Sequence, residues 1–91
     1  MADYVMLMMG SASDGDWETY IESLVNSGKF RGGSSLANGV SVSKGRSDGT
    51  CEVTGFMRFS ADSIEEVRDL LAGNPHFEAG GRIELLEEII D

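Results

Sequence analysis

The chain is poor in the residues that build zinc, redox and phosphate sites. It has one cysteine (Cys51), one histidine (His76) and one proline (Pro75), and its 7 lysines and arginines are outnumbered by 16 aspartates and glutamates. A lone cysteine permits no internal disulfide, and Cys51 with His76 cannot supply the Cys/His sets of a structural zinc site. No metal or cofactor is therefore expected, and a reducing, cytoplasmic home is the default. The formal net charge of −9 repels phosphate backbones and anionic headgroups, which makes nucleic acid and membrane surfaces poor partners. The longest strongly apolar run, Tyr4 to Met9, falls far short of the roughly 20 residues of a membrane span. The start, Met1-Ala2-Asp3, lacks the basic region of a signal peptide, so nothing there marks the protein for export.

What is present is an ordinary globular mixture. Hydrophobic residues make up 41% and charged residues 25% of 91 residues, enough for one domain spanning 1–91 and no second core. Tyr4-Val5-Met6-Leu7-Met8-Met9 is apolar at both parities, the pattern of a central strand covered on both faces. A Gly/Ser/Asp turn follows, in which Asp14 can cap a helix bearing Trp17, Tyr20, Ile21, Leu24 and Val25 on one stripe and stopping at Gly28. From Phe30 an irregular strand restarts at Val40 to Lys44 after an Asn38-Gly39 turn or bulge, and a polar loop from Gly45 to Gly49 leads into a long strand, Thr50 to Ser60. Gly55 marks a bend in it. A capping box, Ser63 with Glu66 or Asp62 with Glu65, opens a second helix that runs to Gly73. Pro75 forbids its continuation. A last strand has Ile83, Leu85 and Ile89 alternating with charged residues.

The order is βαββαβ, an α+β arrangement of the ferredoxin-like kind, with an antiparallel sheet and both helices on one face. The other sheet face is left bare although the first strand is apolar on that side too. A second copy, sheet against sheet, is the simplest cover, so a homodimer through the helix-free face is expected.

Few motifs survive inspection. Gly28 to Ser35 outlines a phosphate loop but has Ser34 where the lysine belongs, and Asp14 to Val25 begins like a calcium loop but lacks its glycine and its final glutamate. Cys51 reads as a small buried hydrophobe, and Glu84, Glu87, Glu88 and Asp91 as a solvated acidic end. Trp17 reads first as core, with an edge available to a cavity. His76 either ties its loop together through backbone hydrogen bonds or acts as an acid or base near neutral pH. Arg58 shares a strand face with Thr54 and Phe56. An ion pair is the leading account of it, and a fork for a small anionic ligand is the alternative.

Taken together, Tyr4 to Met9, the helix with Trp17 and Tyr20, Gly32-Gly33-Ser34-Ser35-Leu36, Ala61 to Val67, and Asn74-Pro75-His76 through Gly80-Gly81-Arg82-Ile83-Glu84 resemble the YCII-related family of the DGPF type. The resemblance implies a ferredoxin-like fold paired into a dimeric α/β barrel. It departs at Asp48-Gly49-Thr50-Cys51, where the family has Asp-Gly-Pro-Phe, and the histidine that members carry on the first helix has no counterpart. The leading functional expectation is a small dimeric binding or accessory protein with a cavity between sheet and helices, contacted by His76, Arg58 and Trp17. The alternatives are an enzyme moving a proton on a small organic acid or lactone, with His76 as catalytic acid/base and Arg58 holding the carboxylate, and a structural interaction module.

Overall fold

The computed structural model describes residues 1–11, 14–37, 39–46 and 49–90. Its elements are β1 (Ala2–Met9), α1 (Trp17–Ser27), β2 (Phe30–Ser35), β3 (Gly39–Ser41), β4 (Gly49–Cys51), β5 (Val53–Ala61), α2 (Ile64–Asp69), α3 (Pro75–Glu78) and β6 (Arg82–Glu87). The main sheet runs β2-β5-β1-β6, and β1 is antiparallel to both of its neighbours, as β2 is to β5. This is the ferredoxin-like order, with the first strand and the strand that enters α2 at the centre. Among the described residues no helix is long and apolar enough to cross a membrane.

The two parities of β1 part as expected. Tyr4, Met6 and Met8 are buried, whereas Val5, Leu7 and Met9 are only half-buried on the face away from the helices. Met57, Phe59 and Ala61 of β5, Tyr20 and Leu24 of α1, Val67 of α2 and Leu71 just after it complete the core. One layer of side chains therefore sits between the sheet and both helices, and Phe59 stacks obliquely on Phe30 at 5.7 Å. Burial pushes the Tyr4 phenol above its ordinary range, with Glu87, Glu65, Glu66 and Asp62 adding to the shift.

The bend anticipated at Gly55 is a β-bulge. Met8 pairs with Gly55 and Met9 with Val53, which leaves Thr54 as the extra residue. A Cβ on Gly55 would stand 2.7 Å from Met8 Cε, so a side chain there would displace the end of the Met8 side chain. Gly28 ends α1 in the left-handed region at φ 75°, where its amide donates to the Val25 carbonyl. Ser63 caps α2 by accepting from the Glu66 amide, while the Glu66 carboxylate reaches back to the Asp62 amide at 3.1 Å.

Several expectations need correction. Asp16, not Asp14, caps α1, because its two carboxylate oxygens accept from the Thr19 amide and hydroxyl at 3.0 and 2.6 Å. Those bonds, the hydroxyl's first, hold the Asp16 carboxyl below the usual carboxylate range. Val25 is 60% exposed, since α1 presents the Tyr20–Leu24 row to the sheet and Val25 falls past its edge. The second helix is shorter than expected. After Asp69 the chain tightens through i−3 bonds from Leu70, Leu71 and Ala72, and Leu71 still reaches the core.

The long hairpin is also interrupted. β3 and β4 form a separate two-stranded ribbon, and Val40 within it and Val42 just beyond β3 are exposed despite their alternation. Cys51, at the end of β4, is half-exposed rather than buried. The chain breaks at Glu52, whose carbonyl accepts from the Gly10 amide at 2.7 Å. Strand β6 stops at Glu87, and Ile89 and Ile90 are 84% and 94% exposed. Asn38 of the expected Asn38-Gly39 turn, Ser47 and Asp48 of the hairpin loop, and Asp91 lie outside the described residues.

Candidate functional site

The stretch Asn74-Pro75-His76, read from the sequence as a loop, is the start of a one-turn helix. Proline has no amide to lose at the first helical position, and the residue before it takes the extended conformation that a cap needs. Asn74 is that cap. Its Oδ1 accepts from the Phe77 amide at 3.0 Å, its Nδ2 lies 3.8 Å from Met6 Sδ, and it is fully buried. The same side chain hydrogen-bonds Tyr20, partly opposing the burial that raises the Tyr20 phenol, and the Tyr20 hydroxyl donates to the Leu70 carbonyl at 2.7 Å. One amide thus joins β1, α1 and α3 in the core.

α3 places His76 at the end of the β1–β6 ladder, where Met9 pairs with Arg82. Its Nε2 is 2.8 Å from the Met9 carbonyl oxygen and 3.2 Å from that of Arg82. Both partners are acceptors, so Nε2 carries a hydrogen. Gly81 makes room for this. A Cβ on Gly81 would stand 2.5 Å from His76 Cδ2, Nε2 and the His76 carbonyl oxygen. Gly81→Ala should therefore push the imidazole off its two carbonyls, and an NMR spectrum of the lone histidine ring would show its Nε2 proton losing exchange protection. A variant with unchanged ring signals would show that the contact is looser than described.

His76 also borders a cavity of about 390 Å³ on the helix side of the sheet. Trp17 and Ile21 of α1 form one wall, Phe30 and the Gly32–Ser35 backbone of β2 another, and Met8 and Met57 the floor. Trp17 is the first residue of α1, held against Tyr20 in an edge-on contact at 6.1 Å, so the Asp16 cap that starts the helix also sets this wall.

Arg58 is elsewhere. It lies between Met57 and Phe59, which are buried on the helix side, and therefore projects from the opposite face, beside Val5 of β1. There its Nε and Nη2 donate to the two oxygens of Glu88 at 2.8 and 2.9 Å, and those hydrogen bonds, then the charge of Glu88, raise its affinity for the proton. It borders a separate, more polar hollow with Asp3, Arg31 and Ser60. Of the three residues singled out from the sequence, Trp17 and His76 share a cavity and Arg58 is on the other side of the sheet. Asn74, Gly81, Phe30 and Met57 went unremarked as site residues. Only Asn74 had a local signal, the Asn-Pro pair of a helix start.

The helix-free face carries Val5, Leu7, Met9, Phe56 and the 48% exposed Leu86. Charged pairs flank it: Arg58 with Glu88, and Arg82 with Glu84 at 2.6 Å. The acidic end read from the sequence is thus partly consumed in these pairs.

No family model matches the chain, and no curated protein does. Among solved structures, the 5-chloro-2-hydroxyhydroquinone dehydrochlorinase of Burkholderia phenoliruptrix AC1100, in complex with 2,5-dihydroxybenzoquinone, is similar over 98% of this chain and 93% of its own, with 14% identity and a TM-score of 0.48. That degree of likeness is too low to transfer any property of that enzyme to this chain.

Proposed function

We propose that this protein is a small-molecule-binding protein that works as a homodimer, with one ligand site per subunit between α1, β2 and the end of β1. The observation that carries this reading is the apolar cavity of about 390 Å³ closed at one side by a buried imidazole. Binding cavities for small molecules have this size and character, mostly apolar walls with few polar groups to orient the ligand. The dimer is supported by the apolar row on the helix-free face, which is long, central and rimmed by charge. The placement of Nε2 between two carbonyls favours binding over acid/base work, since that nitrogen is already committed to the backbone. A cytoplasmic setting and kinship with YCII-type proteins belong to the same reading and rest on the sequence.

Ile21→Trp tests it, because Ile21 lines the cavity at the margin of the core and a larger side chain there would fill it. A fragment panel of mixed charge, followed through the Trp17 indole and methionine methyl NMR signals, should yield compounds that shift Trp17 and Met57 in the parent protein. None of these should bind the variant, whose melting temperature should stay within a few degrees. Compounds that shift only Met9 and Leu86 would move the site to the other face and end this reading.

A further inference from the structure

We infer that the cavity takes an uncharged ring system bearing a hydroxyl or N–H donor and discriminates against carboxylates; this rests on the small-molecule reading above. Among the described residues, no lysine or arginine lines it. Arg58, the side chain that could have met a carboxylate, is on the far face with both oxygens of Glu88 on its fork. Arg31 points its Nη1 at the Gly28 and Phe30 carbonyls at 3.0 and 3.1 Å. An anion entering this cavity would give up its water without gaining a countercharge, and it would do so in the field of a chain with net charge −9.

The other polar side chains of the lining are hydroxyls, of which Ser34 donates to the Ser35 carbonyl and Thr54 to the Met8 carbonyl, and none brings a positive charge. The walls of Trp17 and Phe30 suit the face or edge of a flat ring. The Nε2 and Cδ2 edge of His76 is pressed against Gly81 and the two carbonyls. What the imidazole has left to offer is Nδ1, which accepts when the ring is neutral. A ligand that fills the cavity therefore needs a donor at that end and none of the negative charge expected of an organic acid.

Three probes of one shape separate these statements: indole, 1-methylindole and indole-3-carboxylate, titrated into the purified protein and followed by the NMR signals of Trp17, Met57 and the His76 ring nitrogens. Indole should bind on the order of tenfold more tightly than the carboxylate, and several-fold more tightly than the methylated ring, with a shift at His76 Nδ1 that 1-methylindole does not produce. Equal or tighter binding of indole-3-carboxylate would overturn the charge inference while leaving the cavity as a site. Equal binding of 1-methylindole would overturn the donor requirement. If none of the three moves a cavity signal at millimolar concentration while other members of the fragment panel do, the inferred ligand class is wrong. If nothing in either series does, the binding reading itself fails.

Discussion

Leu7→Glu is expected to turn the protein into a folded monomer. Leu7 lies on the helix-free face of the central strand, opposite Phe56 of β5 on one side and Glu84 of β6 on the other. In a two-fold interface centred on this face the new carboxylate would occur twice, each copy losing water without a partner and the Glu84 side chain adding repulsion. At a cost on the order of 3 kcal/mol for each carboxylate, the dimer would weaken by roughly four orders of magnitude in dissociation constant. Sedimentation equilibrium at micromolar concentration should show a dimer for the parent protein and a monomer for the variant, with far-UV circular dichroism unchanged. The neighbouring residue is the control. Met8 is 7% exposed and faces the helices, so Met8→Glu should lower the melting temperature instead of dissociating a folded dimer. A parent protein that sediments as a monomer, or a Leu7→Glu dimer of undiminished affinity, would remove the proposed interface.

Asn74→Ala should cost the fold on the order of 2 to 4 kcal/mol, combining a lost helix cap of about 1 kcal/mol, the desolvation of stranded partners and a small cavity. The side chain is fully buried. Its removal leaves the Phe77 amide without its acceptor and takes a donor from beside Tyr20 and Met6. A domain of this size has roughly 5 to 13 kcal/mol in total, so urea denaturation should show the loss clearly as a lower midpoint with an unchanged slope. Asn74→Ser, which keeps a capping oxygen but not the amide donor, should fall between the two. Because α3 carries His76, the alanine variant should also bind cavity ligands more weakly under conditions where it remains folded. A loss below about 1 kcal/mol would mean that a surface-like cap is all Asn74 provides.

The fold was legible because the signals for it are local and periodic. Strand β1 reads as two-sided from its own residues, α1 shows its Tyr20–Leu24 row at helical spacing, and Gly28, Ser63 and Glu66 announce helix ends by chemistry that needs only three or four neighbours. The order of those elements, with the right-handed crossover rule, leads to one sheet with both helices on one side. Even the face of Arg58 follows from alternation with Met57 and Phe59.

What failed was where local pattern and tertiary burial disagree. Val25 and Ile89 continue an apolar rhythm beyond the surface available to cover them, and Val40 and Val42 alternate in and just after a ribbon outside the main sheet, where both are exposed. The candidate site was less legible still. Periodicity says which way a side chain points along its own element, and nothing about which distant backbone it meets. His76 finds the Met9 carbonyl 67 residues away in sequence, and Asn74 finds Met6 across 68. Those meetings depend on the packing of α3 over the end of β1 and on the close approach at Gly81. The sequence by itself thus determined the strands of the main sheet, the helices α1 and α2, their order and a sheet with one uncovered apolar face, and it missed α3 and the separate β3–β4 ribbon. Only the tertiary structure decided that His76 and Trp17 share a cavity, because that outcome is set by long-range contacts that no local repeat encodes.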